Sequence, residues 1–162
     1  MKQISYSKYC VSLHKARVND KKAYLNCNAP FEKDGTKYFQ SNEGISYLHE
    51  DGFMGGLCRT SKGSERLAEL HQQHRIKLSG YFLECYEGKL SSMYAKQGFK
   101  VVSRIAFDPQ FAPKGWEDDD QLQKLPDVVF MSLHKADEVV FYEYQNAYNH
   151  ASSSKNIHTT KG

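Results

Sequence analysis

Helical and strand periods alternate along the chain in short blocks. Residues 6–25 are rich in Lys, Ala and Leu, and Val11, His14 and Val18 recur at three- and four-residue steps, which predicts one helix. Asn28, Pro30, Asp34 and Gly35 mark residues 26–36 as a loop. Two apolar runs follow, at residues 44–48 and 53–58, with Asp51-Gly52 between them. That pair favours a tight turn, so the runs are predicted strands of one hairpin. A polar loop over 59–65 leads into a predicted helix from Glu65 to about Leu78. Ser64 is its expected N-cap, and Leu67, Leu70, His74 and Leu78 form its stripe. Ser79-Gly80 ends it.

Residues 81–86 read as a strand. Leu90, Met93, Tyr94 and Gln97 share a helical face stopped by Gly98, and residues 99–107 are strand-like. The stretch 108–126 holds three prolines, Gly115, Trp116 and the acidic run Glu117–Asp120, and is a long connection. Residues 127–133 are an apolar strand, and 139–144 fit either a strand or the first turn of a helix. Residues 151–162 are polar and Ser-rich, and are expected to be a flexible tail. The order predicts an α/β (α+β) domain over 1–150, with a mixed, mostly antiparallel sheet flanked by helices and at least one crossover helix.

Composition narrows the class. With 40% hydrophobic and 25% charged residues among 162, the chain is globular and long enough to bury a core without staples. No run is long and apolar enough for a bilayer, and the first residues lack the apolar core of a secretion signal, so a cytoplasmic protein is expected. Twenty-two basic against 19 acidic residues give +3, too balanced to indicate nucleic acid. Cys10, Cys27, Cys58 and Cys85 contain no C-x-x-C pair and are expected as reduced, inert thiols. His71 and His74 have a spacing that suits a metal but no evident further ligands, so helix packing is the stronger explanation and no metal site is expected.

The chemistry-bearing segment runs from Phe53 to Leu133. A strand ends at Leu57-Cys58-Arg59, and a Gly-containing loop with Arg59 and Lys62 precedes a helix, an arrangement suited to a phosphate. Further on stands Met93-Tyr94-Ala95-Lys96-Gln97-Gly98-Phe99. With Leu83-Glu84-Cys85 before it, and the hairpin, loop, helix and strand in that order, residues 44–133 resemble the GNAT-type N-acetyltransferase superfamily, and within it a branch found in phage and bacterial proteins. Residues 1–43 form a variable N-terminal part.

The resemblance implies acetyl-CoA as co-substrate, lying across a splay between two central strands, and direct acetyl transfer to an amine acceptor, small molecule or protein. It implies that Leu57, Cys58 and Arg59 line the pantetheine, and that Lys62, Gly63 and Ser64 meet the pyrophosphate. Tyr94 would protonate the leaving thiolate, and a Glu would be the base: Glu84 first, with Glu43 and Glu50 behind it. The loop departs from the family's Gln/Arg-x-x-Gly-x-Gly/Ala pattern, with Thr60 first and Glu65 last, and Glu87 replaces the usual Asn. These departures favour the alternative, a GNAT-like binding module without catalysis, such as a phage protein that occupies a host partner.

Overall fold

The Asp51-Gly52 turn closes the hairpin that organises the N-terminal half. Asp51 accepts the Phe53 amide at 3.0 Å, and Gly52 takes the positive φ (99°) that the turn requires. It joins β3 (Gly44–Leu48) to β4 (Met54–Arg59). The computed structural model describes residues 1–160, with side chains everywhere except position 26 and positions 157–160. The chain, expected as one domain, forms two compact units, Met1–Gly80 and Tyr81–Gly162.

In the first unit β1 (Lys2–Ile4), β2 (Lys37–Gln40), β3 and β4 make an antiparallel sheet in the order β1-β2-β3-β4. The single helix expected over 6–25 is two: α1 (Tyr6–Asn19) and α2 (Lys21–Asn26). Asp20 makes the break. Its backbone is extended, and its carboxylate caps α2 by accepting from the Lys22 amide at 2.9 Å. The expected face is also corrected. Val11 and Val18 are exposed, while Tyr9, Leu13 and Ala16 are buried with Tyr38, Ile45 and Cys58.

The third helix, α3, spans Leu67–Lys77 rather than beginning at Glu65. Its N-cap is Arg66, and Ser64 does not cap it. Leu70 and Leu78 lie outside its buried face, which consists of Leu67, His71, Gln72 and Arg75. A largely polar inner face needs partners, because unpaired buried polar groups cost free energy. They come from an irregularity in β4. Tyr47 pairs with Gly55 and Ile45 with Cys58, so Ser46 faces two residues, Gly56 and Leu57. This β-bulge turns carbonyls out of the ladder. Arg75 Nη1 donates to Gly55 O (2.9 Å) and Tyr47 O (3.0 Å), and the Tyr9 hydroxyl donates to Gly56 O (2.7 Å).

The second unit holds β5 (Phe82–Tyr86), α4 (Lys89–Lys96), β6 (Lys100–Ile105), β7 (Val128–Ser132), β8 (Val139–Phe141) and α5 (Tyr144–Thr160). Its sheet runs β5-β7-β6-β8, antiparallel except for the parallel β6–β8 pair, and α4 is the crossover between β5 and β6. The connection over 108–126 is folded into three single 3-10 turns. Asp119, between the second and third, accepts from the Gln121 and Leu122 amides, and Leu122 is buried. The expected frayed tail is instead helical through Thr160. Ala151 and Ser154 are buried, and Ser154 hydrogen-bonds Ser132 at 2.7 Å. Residues 161–162 of that tail lie outside the described residues. The fold is thus mixed α/β, with mainly antiparallel sheets flanked by helices.

Gly56 has φ +63°, and a Cβ there would meet the Tyr9 hydroxyl and the Tyr47 ring, whereas Gly115 has φ +89° with open space around it. In urea unfolding, Gly56→Ala is expected to cost about 2–4 kcal/mol, from left-handed strain plus overpacking. Gly115→Ala is expected to cost about 1 kcal/mol, from strain alone.

Candidate functional site

The loop after β4 is shaped by acidic side chains. Glu43, just before β3, is mostly buried, with 16% of its side chain exposed. One carboxylate oxygen accepts from Arg59 Nη1 at 3.0 Å and from the Glu65 amide at 2.8 Å. Arg59 Nη2 donates to Glu65 O at 2.8 Å, closing a ring of contacts. The Glu43 carboxylate lies against the Cα of Gly63, where a Cβ would collide with it. With Glu43 in this rotamer, the position admits no Cβ.

The Glu65 side chain turns inward. It accepts from the Ser41 hydroxyl in a short contact and from the Glu43 amide at 3.3 Å, and the Ser41 bond holds its carboxyl below the usual range. Ser41 Oγ lies 2.9 Å from His71 Nε2, and Ser46 Oγ lies 2.5 Å from His71 Nδ1. A carboxylate only accepts, so Ser41 donates to Glu65 and receives the Nε2–H of His71. His71 Nδ1 then receives the Ser46 hydroxyl proton. The imidazole is neutral and fully buried. Burial, and then the Arg75 charge, lower its pKa to about 3. Both its ring nitrogens are engaged by serines, and His74 stands edge-on to Phe39 at 4.9 Å. Among the described residues no group of three or more potential ligands is placed to hold a metal.

Of the residues expected along the pantetheine, Cys58 is buried in the core and Leu57 is half-buried with its carbonyl 3.8 Å from Cys27 Sγ. Arg59 is committed to Glu43 and Glu65. Lys62, Gly63 and Ser64 lie exposed in the loop. In the present arrangement the donors of this cradle face a carboxylate, and a phosphate does not fit beside it. Glu50 is exposed, and its carboxyl lies over Gly35.

In the second unit Glu84 pairs across β5–β7 with Phe130, and Phe130 pairs with Ser103. That face is covered by α5. Tyr144 and Tyr148 pack their rings on Phe130, and Ser103 donates to Ala147 O. The Tyr144 hydroxyl donates to Glu84 Oε1 at 2.8 Å. Burial pushes the Glu84 carboxyl up to about 7, with the Tyr144 bond acting in the opposite direction. Its neighbour Cys85 is pushed up to about 12 by burial, which keeps it a thiol.

Helix α4 packs on β5 and β7 and takes the other face, that of Leu83, Val129 and Met131. Tyr94 is buried there, its ring 6.1 Å from Phe99 and perpendicular to it within 23° (interplanar angle 67°). Glu84 and Tyr94 are therefore on opposite faces of the sheet. Glu87, at the place where the resemblance has Asn, binds Arg104 at 2.9 Å beside Asp127 (2.8 Å) and Glu138 (2.7 Å). Trp116 packs on Phe107 at 5.2 Å.

The sequence did not point to Ser41, Ser46 or Arg75. The contacts that tie them to the rest of the site span 20 residues or more, which leaves no local spacing to read. The nearest signal was an acidic residue, Glu43, directly ahead of a strand.

No family model matches the chain, and no curated protein matches it. Among solved structures it is similar to a ribosomal-protein-alanine N-acetyltransferase from Brucella melitensis, at 11% identity, over 80% of this chain and 96% of that one, with a TM-score of 0.47. Among the described residues no helix is long and apolar enough to cross a membrane.

The His71 relay carries a pH signature. Its pKa is lowered from 6.5 to about 3 in the fold, so between those values the unfolded chain binds the extra proton. The relay's contribution is full above about 6.5 and is lost as pH falls toward 3. In denaturant titrations, the stability difference between wild type and His71→Gln is expected to shrink across that window. A constant difference would contradict the neutral, doubly bonded imidazole.

Proposed function

We propose that the protein is a GNAT-type N-acetyltransferase that moves an acetyl group from acetyl-CoA to an amine, with Glu84 as the base. The observation that carries this reading is the Glu84–Tyr144 pair: a half-buried carboxylate on β5 held by one phenol from the start of α5. A half-buried carboxyl pushed up to about 7 by desolvation suits proton removal from an ammonium group. It is ionised often enough to accept the proton and basic enough to hold it. The sequence resemblance supports the same assignment, since Leu83-Glu84-Cys85 stands ahead of the Tyr94 to Gly98-Phe99 motif.

Acetyl-CoA would supply a thioester to the freed amine. Glu84 takes the amine's proton. CoA leaves as its thiolate; Tyr94, expected from the sequence to protonate it, is buried on the opposite face of β5 from Glu84 and is not placed to serve the same reacting carbon in this arrangement. The acceptor is an amine of a small molecule or a protein. The reading takes the protein to be cytoplasmic, in keeping with four free cysteines.

A second reading, a GNAT-like module that binds a partner without chemistry, is favoured by the Glu43 carboxylate inside the loop. The two diverge in an acetyl-transfer assay over a broad panel of amines, read by release of free thiol. The enzymatic reading expects transfer whose rate rises with pH through about 7, because only ionised Glu84 accepts a proton. Glu84→Gln is expected to lower that rate by about a hundredfold or more. Absence of transfer by the wild type over the whole panel leaves the binding module. A rate unchanged in Glu84→Gln removes Glu84 from the mechanism.

A further inference from the structure

The loop after β4 already binds an anion, and that anion belongs to the chain. Three features converge on the Glu43 carboxylate: the Arg59 guanidinium at 3.0 Å, the Glu65 amide at 2.8 Å, and the bare Cα of Gly63. A cation, a main-chain donor and a glycine that admits close approach are what a phosphate oxygen needs from a protein. The second carboxylate oxygen lies 3.4 Å from the same amide, so the group faces the loop with both oxygens. The carboxylate is held in place from behind. The Glu43 amide donates to Glu65, whose side chain is fixed in turn by Ser41 and His71.

We propose that Glu43 is a built-in occupant of this anion cradle, and that a pyrophosphate-bearing ligand enters only by displacing its carboxylate. The proposal rests on the acetyltransferase reading for the identity of that ligand, but the contact itself does not depend on it. With Glu43 in place, an incoming phosphate meets a like charge and a guanidinium already paired. With Glu43 swung out toward solvent, Arg59 and the Glu65 amide are released together, because one carboxylate oxygen holds both. Cofactor entry is thereby tied to a side-chain rotation at the start of β3. The same rotation frees the space over Gly63.

The test is calorimetric titration of the full chain with inorganic pyrophosphate and, separately, with coenzyme A. Glu43→Gln keeps an acceptor for the Glu65 amide and removes the charge, and Glu43→Ala is the second variant in case the first does not fold. Either is expected to bind pyrophosphate at least about tenfold more tightly than the wild type, from loss of the adjacent like charge. Adding Arg59→Ala should abolish the gain. Equal or weaker pyrophosphate binding in both Glu43 variants overturns the proposal, as does a gain that survives Arg59→Ala. If the variants gain pyrophosphate yet coenzyme A binds to none of the proteins, the occupant stands and the acetyltransferase reading fails. If coenzyme A binds wild type and variants equally, the occupant fails and the acetyltransferase reading stands.

Discussion

The bulge at Gly56 turns backbone carbonyls of β4 away from the ladder, and those carbonyls must find donors within the fold. Arg75 meets two of the carbonyls around it and Tyr9 a third. From this one requirement the polar inner face of α3 follows. Arg75 also donates to His71 O at 3.3 Å and to Gln72 Oε1 at 2.6 Å, which fixes the next turn of the helix. His71 then links Ser46 to Ser41, Ser41 links to Glu65, and Glu65 and Glu43 together hold Arg59. A continuous polar layer therefore runs from the bulge to the loop at the end of the same strand. Its members are hydrogen-bonded to one another or to backbone carbonyls, as low-dielectric surroundings demand.

That layer explains where the sequence was legible and where it was not. The β3–β4 hairpin, β5, β6 and β7 were readable, because their apolar runs and the Asp51-Gly52 turn are local signals. So was α4 with its stop at Gly98, where Gln97 and Phe99 amides close on Tyr94 O. Helix α3 was misread at its face, since hydrophobic periodicity assumes an apolar interior and this interior is polar. Its leucine stripe leaves Leu70 and Leu78 substantially exposed. The break at Asp20 depends on one capping side chain. The strands β1 and β2 are short, and β1 finds its partner only at β2, far along the chain, while β2 pairs with the β3 that directly follows it. The Ser-rich end of α5 looked like a tail because its small buried residues, Ala151 and Ser154, carry no hydrophobic pattern; serine there is a hydrogen-bonding partner for Ser132.

The candidate site divides in the same way. Glu84 could be named from its place before the Tyr94 motif, but its raised pKa comes from desolvation in the fold, and its phenol partner Tyr144 lies 60 residues later. Arg59 and Gly63 could be named as a phosphate loop, yet a charge of the ligand's own sign sits among them. The Glu65 departure from the pattern of the resemblance acquires a physical sense here. Glu65 is an internal strut that faces Ser41 and carries the amide that Glu43 accepts. A loop built this way presents a carboxylate of its own to the Arg59 guanidinium and the Glu65 amide.

The central claim is that the Glu43 carboxylate occupies the cradle in the resting protein. The most direct measurement is amide-proton exchange at Glu65, followed by NMR in the wild type and in Glu43→Ala. The account expects the Glu65 amide to be protected although its loop is open to solvent, and the protection to vanish in the variant. Exchange in the wild type as fast as at Lys62, Gly63 and Ser64, or protection that persists without Glu43, would contradict it.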